Sequence, residues 1–456
     1  MLICINFIII KYLFYILKEK MITATEFKKR RKQIAKIIGT DSIAIIKAKD
    51  ISLRNGDADY KYRPDSNFYY LSGCHEANSL VVIVPNGEYG EDILFCREID
   101  TDNIIWNGPM LGLDDAKNKL LFDNSFDIKS IDHLIPKIMA GRDKVYFMLG
   151  MDSDFDKKIV SWTNAVEKEK WAKSQAPHEL VSLKPLLDDM RVYKSKDEIK
   201  CMQISANIAA DAHVKMMQAC KPGMYEYNLN AEFLHHLTNQ NSQASYLPIV
   251  GGADNACILH YINNNQELKD GDLVLIDAGA ECDYYASDIT RTFPVNGKYT
   301  VAQKEIYNIV LAAHTAALAK AKPGNHWNEP HEAAVEVITK GLIEIGLLKG
   351  DLKSNLEEHN YAKYYMHKTG HWLGLDVHDC GEYSVDGLWV ELEQNMVLTI
   401  EPGIYINSDA KVPEKYRGIG IRIEDDVLIT KDGNKILSDN VPRTVEEIEN
   451  IMRKSA

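Results

Sequence analysis

Asp277 ends the apolar run LVLI within LVLIDAGAECDYYASDITRTFP (273–294), where a buried strand has no ordinary reason to carry a charge. Asp288 follows eleven residues later and opens a second alternating stretch with Thr290 and Thr292 on its face. That separation suits a hairpin that brings both acids to one place. Near the C-terminus, Glu401 follows MVLTI and precedes a Pro-Gly turn in MVLTIEPGIYI (396–406). In GIGIRIEDDVLI (418–429) a period of two sets Ile419, Ile421 and Ile423 on one face and Arg422 beside Glu424 on the other. The bland readings are two surface turn aspartates and one exposed salt bridge. Both fit poorly with the apolar flanks. Buried carboxylates must be paired or metal-bound. Arg422 alone does not offset Asp277, Asp288, Glu401 and Glu424, whereas two divalent cations bridged by carboxylates would, which is the chemistry of a two-metal hydrolase. One nitrogen ligand is then expected from a histidine. Oxygen-rich ligation with a single imidazole favours a hard ion such as Mn²⁺.

Three histidines in HKTGHWLGLDVHD (367–379) compete for that position. His367 and His371 stand at i, i+4, as in zincin helices. The intervening Lys-Thr-Gly lacks the glutamate base, and Thr and Gly are weak helix formers. A mononuclear zinc protease is therefore disfavoured. One histidine is expected to join the four carboxylates, with the others flanking the reacting centre.

The elements that must position these groups fall into two domains. SIAII (42–46), SLVVIVP (79–85), DILFC (92–96) and KVYFML (144–149) are short, apolar and β-rich, and mark an α/β domain over 21–190. Two prolines and a charge shift in 174–195 mark the junction to a second domain, 191–456. There NIAADAHVKMMQACKPG (207–223) aligns without gaps to NIVLAAHTAALAKAKPG (308–324), and LVLIDAG (273–279) resembles MVLTIEPG (396–403). Two matched features in the same order point to a duplicated α+β unit whose halves would line a central site with acids from both. His213 and His314, mid-helix in the repeat, read as structural. The basic cluster KKRRK (28–32) sits in a helical pattern of Phe27, Ile34, Ile37 and Ile38, capped at Thr23 and Glu26 and stopped by Gly39. It reads as a solvated face.

A formal net charge of -13 makes the chain a poor polyanion binder, which argues against nucleic acid as a partner. The eight cysteines form no C-x-x-C pair and fit reduced thiols in the cytoplasm. The first twenty residues, MLICINFIIIKYLFYILKEK, are apolar but hold Lys11 mid-run and lack a signal-peptide layout. They read as an upstream extension ahead of Met21, with a membrane anchor as the alternative.

With these residues in view, the chain resembles the metal-dependent proline peptidases of the pita-bread fold, most closely the aminopeptidase P (Xaa-Pro aminopeptidase) branch. The likeness runs from about residue 26 to the end. It includes YRPDSNFYYLSG (62–73), RVYKSKDEI (191–199), KPGMYEYNL (221–229), ACILHY (256–261) and HWLGLDVHD (371–379) with its Trp372. The resemblance implies a creatinase-like α/β N-terminal domain ahead of a pita-bread catalytic domain. It implies two metal ions, most readily Mn²⁺, bridged by Asp288 and Glu424, with Asp277 on one ion and His371 and Glu401 on the other. By the same resemblance His260, His367 and His378 are catalytic and substrate-side histidines. Arg422 lies at the substrate end, and Trp106 comes from a neighbouring subunit of a dimer or tetramer. Three positions depart from the family pattern. Lys368 stands where a small residue is usual, Asn395 replaces a glycine in a turn that needs left-handed backbone, and Leu388-Trp389 lies where an arginine is common.

The implied reaction is hydrolysis of an N-terminal Xaa-Pro bond by a metal-bridging hydroxide. His260 or His367 would stabilise the oxyanion, and Glu401 or Glu424 would carry the proton to the prolyl nitrogen. The nearest alternative is prolidase, which cuts only Xaa-Pro dipeptides. A methionine aminopeptidase would not need the 21–190 domain. A non-catalytic pita-bread binding protein or a metal-free creatinase-like enzyme would not be expected to keep all five metal ligands.

Overall fold

The computed structural model describes residues 21–168 and 175–454, and the chain divides into two compact units, the second beginning at Arg191. Residues 1–20, where the sequence suggests an upstream extension, lie outside the described residues. Among the described residues no helix is long and apolar enough to cross a membrane.

The first unit opens with helix α1 (Ala24–Ile38), whose Thr23 side chain accepts the Glu26 N–H at 3.2 Å and whose end is closed by Gly39 at φ 75°. A six-stranded sheet follows: β1 (Ser42–Lys47), β2 (Leu80–Ile83), β3 (Asp92–Cys96), β4 (Asn124–Asp127), β5 (Lys144–Phe147) and β6 (Glu179–Ser182), in the order β4-β3-β2-β1-β5-β6. β1 runs parallel to β5 and antiparallel to β2. The continuous apolar runs of β1, β2 and β3 are buried almost end to end, as strands covered on both faces must be. This is an α/β unit.

One expectation fails in α1. Arg30 and Arg31 are 2% and 0% exposed, not part of a solvated face. The Arg31 guanidinium donates to Asp92 at 2.8 Å and to the carbonyls of Leu71, Leu120 and Leu121, and lies 3.9 Å over the Phe122 ring. Arg30 donates to the Tyr70 carbonyl at 3.1 Å and stacks on the Tyr70 ring. Buried guanidinium is tolerable because its planar donors are met by a carboxylate and by backbone oxygens. Those partners lie 40 to 90 residues away in the chain, so helical periodicity could not reveal them.

The second unit is α+β. Helix α2 (Lys196–Ala219) starts at a capping box in which Ser195 and Glu198 satisfy each other's backbone donors. Strands β7 (Ile249–Gly252), β8 (Leu273–Asp277) and β9 (Thr290–Pro294) form an antiparallel sheet in that order. Helix α3 (Val301–Lys320), with its own Thr300–Gln303 capping box, and α4 (Asn328–Glu344) follow. β10 (Val397–Ile400) pairs with β13 (Asp425–Thr430), which pairs with β14 (Gly433–Ile436), while β11 (Gly403–Ile406) and β12 (Ile419–Arg422) form a hairpin. The repeated segments thus become α2 and α3, each leading to antiparallel strands that carry acids. Their histidines are both buried and act as tethers. His213 Nε2 lies 2.9 Å from the carbonyl of Ala278, next to Asp277. His314 Nε2 lies 3.1 Å from Asp425, next to Glu424. Burial lowers the pKa of both, His213 to about 4.

Candidate metal centre

The hairpin expected from the sequence forms: β8 and β9 pair so that Asp277 faces Thr290. The connection then turns Asp288 back beside Asp277, and the Tyr246 hydroxyl is shared between the two carboxylates. Gly279 makes this approach possible, since a Cβ there would collide with the Ser287 carbonyl. The backbone N–H of Asp288 is fixed by Asp426 Oδ1 at 3.0 Å. The Glu424 N–H bonds the Thr290 carbonyl at 3.1 Å, and the Thr290 hydroxyl donates to Glu424 Oε2 at 2.6 Å. This bridge joins the acids of the two halves.

The other two groups are laced together in the same way. His371 N–H donates to Thr399 Oγ1 at 3.1 Å, and Thr399 N–H donates to the His371 carbonyl at 2.9 Å. Glu401 N–H donates to the Thr369 carbonyl at 2.8 Å. Between them, Gly370 has no room for a Cβ, which would strike the Thr399 carbonyl. The His371 Nδ1 sits 2.9 Å from the Trp372 carbonyl, so Nδ1–H donates there and the Nε2 lone pair is aimed inward. Nε2 lies 3.4 Å from Asp288 Oδ2 and 3.8 Å from Glu401 Oε1. One donor atom each from Asp288, His371 and Glu424 fall within 4.8 Å of one another.

The electrostatics shows how the cluster fits cations. Asp277, Asp288, Glu401, Glu424, His371 and Arg422 line one cavity of about 190 Å³. Arg422 is its buried cation, but it is fully committed: Nε donates to Thr290 Oγ1 at 3.1 Å, Nη1 to the Tyr405 hydroxyl at 3.1 Å, and Nη2 to Asp277. Burial pushes Asp277 up to about 6 and Glu401 up to about 7, and raises Glu424 far above the usual carboxylate range. Asp288 is held low despite its burial, chiefly by His371. His371 in turn is drawn up to about 9, because the bond to Asp288 and the charges of Glu401 and Asp288 outweigh burial. Left to itself the cluster takes on protons, which means it carries more negative charge than the chain neutralises. Oxygen donors in excess, one imidazole with its lone pair inward, and unmet negative charge together fit divalent metal ions.

Of the other residues anticipated from the sequence, His260, His367 and His378 line the same cavity. His367 Nε2 lies 2.8 Å from the Tyr405 hydroxyl and Nδ1 lies 2.7 Å from the Lys368 carbonyl, so Nδ1–H donates and Nε2 accepts. Burial, reinforced by Arg422, pushes His367 down to about 3 and keeps it neutral. The His378 ring lies 4.2 Å from that of His371 and is also lowered by burial. Trp106 belongs to the first unit, where its indole is 84% exposed on the helix Thr101–Asn107. A larger cavity of about 490 Å³ opens near Asp254 and Arg417 and holds none of these residues.

Sequence reasoning missed four groups. Tyr246 bridges two acids, Tyr405 links His367 to Arg422, and Asp426 anchors the Asp288 backbone. His331 of α4 braces Thr369 at 2.8 Å. Asp426 alone left a signal, as a second acid after Glu424 in an apolar strand; the others are single residues with no diagnostic spacing.

Residues 200–431 match the family model of metallopeptidase family M24, and residues 27–146 match that of the aminopeptidase P N-terminal domain. The chain is 41% identical to the Xaa-Pro aminopeptidase of Escherichia coli (strain K12) over 434 residues, 94% of this chain and 98% of the relative. The solved structure of the Pseudomonas aeruginosa aminopeptidase PepP superposes with a TM-score of 0.94 at 46% identity, covering 95% of this chain and 99% of that one. Zn-substituted E. coli aminopeptidase P in complex with product gives a TM-score of 0.92 at 40% identity, with the same coverage.

Proposed function

The chain belongs to metallopeptidase family M24 and carries the N-terminal domain of the aminopeptidases P, and we infer from that membership how its buried acids serve catalysis. It is a metallo-exopeptidase that hydrolyses the N-terminal Xaa-Pro bond of peptides. The observation that carries the reading is the set of four carboxylates on one cavity, facing a single arginine already bound to its neighbours.

Asp277, Asp288, His371, Glu401 and Glu424 would hold two divalent ions. Bound there, the ions supply an activated water near neutral pH and polarise the scissile carbonyl. Manganese suits the oxygen-rich donor set with its single imidazole. The chain's own groups do the rest. His260 at the cavity wall is left to hold the carbonyl oxygen as it gains charge, because the single N–H of neutral His367 is spent on the Lys368 carbonyl. Glu401, at the cavity wall, would take the proton released by the attacking water and pass it to the departing prolyl nitrogen. Arg422 keeps Asp277 oriented and, with His378, borders the substrate. The prolyl nitrogen has no N–H, so nothing in the site needs to accept one.

Trp106, exposed in the single chain, would complete the substrate wall of a neighbouring subunit in a dimer or tetramer. Among the described residues Cys96, Cys201, Cys220, Cys257 and Cys282 are free thiols, which suits the cytoplasm. The test is hydrolysis of Xaa-Pro-Yaa and Xaa-Pro peptides by metal-depleted protein reloaded with Mn²⁺, Co²⁺ or Zn²⁺. Tripeptide cleavage highest with Mn²⁺ is expected. Cleavage of dipeptides only would make it a prolidase, and no cleavage with any ion would reduce it to a scaffold.

A further inference from the structure

The catalytic cavity is lined by two side chains that carry a fixed positive charge, Arg422 and Lys368. They are used differently. Arg422 is 4% exposed and spends its donors on Thr290, Tyr405 and Asp277. Lys368 is exposed, and among the described residues its ammonium has neither an ion pair nor a hydrogen bond. Its backbone is nonetheless immobilised. The Lys368 carbonyl accepts His367 Nδ1–H at 2.7 Å, the buried Thr369 hydroxyl meets both His331 and Tyr365, and Gly370 is pressed against Thr399. A free cation on an anchored backbone therefore borders the cavity. Its field reaches inward, where it adds to burial in lowering His331.

Charge complementarity gives this cation a task. Two divalent ions would neutralise the four carboxylates, and Arg422 with Lys368 would then leave the cavity net positive. Among the described residues no acceptor meets the Lys368 ammonium, which leaves it to water or to the substrate. A peptide with free termini is a dipole, with an ammonium on the residue before proline and a carboxylate behind it. Lys368 repels the first and attracts the second.

We propose that Lys368 is a specificity-determining residue that selects Xaa-Pro peptides bearing a negative charge close behind the proline: the free carboxylate of a tripeptide, or an acidic third residue. The proposal rests on the aminopeptidase reading above. For an exposed pair the expected effect is modest, up to about fivefold, and it weakens as salt screens the charge.

The test compares Xaa-Pro-Ala with its C-terminal amide, and Xaa-Pro-Asp with Xaa-Pro-Lys in longer peptides, using metal-loaded wild-type, Lys368→Arg, Lys368→Met and Lys368→Glu proteins. The readout is the ratio of kcat/KM within each pair, which cancels any general loss of activity. In parallel, calorimetry measures binding of Pro-Ala against prolyl-alaninamide. Wild type and Lys368→Arg should favour the anionic member by about threefold to fivefold, chiefly through KM. Lys368→Met should level the ratio and Lys368→Glu should invert it. Equal ratios in all four proteins would overturn the assignment. If no variant cleaves any Xaa-Pro peptide, the aminopeptidase reading fails, and the calorimetric pair still decides whether Lys368 binds the carboxylate.

Discussion

Glu424 and Asp425 are neighbours in the chain and both nearly inaccessible, at 2% and 0% exposure, yet their surroundings treat them in opposite ways. Asp425 meets Arg291 at 2.8 Å, Arg443 at 2.9 Å and the Ser438 hydroxyl at 2.6 Å, with the His314 imidazole close by. Arg291 chiefly offsets its burial, and its pKa falls well below the usual range. Glu424 has one hydroxyl, an arginine Nε at 4.0 Å that is bound elsewhere, and three further carboxylates around it. Its pKa rises. The same contrast recurs at Asp379, which sits between Arg191 and Lys194 and is held low by them. At Asp425 and Asp379 the chain supplies its own cations. Where charge is left over, the chain leaves room for ions from outside.

Four measurements press on this contrast. The largest effect is expected on activity. Metal depletion, or His371→Ala, should lower kcat/KM for a Xaa-Pro-Yaa peptide by about a thousandfold or more. Full turnover by the His371→Ala protein after depletion and resupply would sink the idea that outside ions complete the cluster. Next comes stability in the metal-depleted protein. Arg291→Met strips Asp425 of its main partner and should cost about 3–5 kcal/mol in urea unfolding. Glu424→Gln removes an unmet charge and should stabilise the same protein. Equal signs for the two would erase the contrast.

A smaller effect is expected from pH. In the metal-depleted protein Asp277 and Glu401 have folded-state pKa values raised to about 6 and about 7, above the unfolded carboxylate values of roughly 4. The folded state then binds more protons than the unfolded one across that interval. Its stabilising contribution is complete below about pH 4 and is lost as pH rises through 6 to 7. Thermal melts should therefore show metal-depleted protein falling behind metal-loaded protein progressively from about pH 4 to 7. A constant gap would mean that the acids are not titrating alone. The smallest effect should come from backbone strain rather than from charge. Asn395 has φ 73°, and Asn395→Ala should cost about 1 kcal/mol in the same unfolding assay, Asn395→Gly almost nothing.

What the sequence disclosed and what it hid follow one physical line. Period-two alternation is local, so the shared side of Arg422 and Glu424 could be read directly, as could the hairpin that turns Asp288 back to Asp277. Asn395 in left-handed backbone was legible because few residues tolerate it. Two prolines and a charge shift in 174–195 are local signals of a junction, and the compact units divide at Arg191. The buried Arg30 and Arg31 were not legible, because a helix face that meets solvent and one that meets a carboxylate 61 residues away have the same local pattern. Tyr246 and Tyr405 were hidden for the same reason: each acts through one hydroxyl delivered by the tertiary fold.

The close approach of Gly370 to Thr399 has a mechanical consequence. His371 and Glu401 belong to different segments, but reciprocal backbone bonds and the missing Cβ bind those segments into one piece. The two backbones are therefore positioned together, and only the side-chain torsions of His371 and Glu401 place their donors separately. A side chain added at Gly370 would act as a wedge, displacing nitrogen and oxygen donors together from the same side of the cavity.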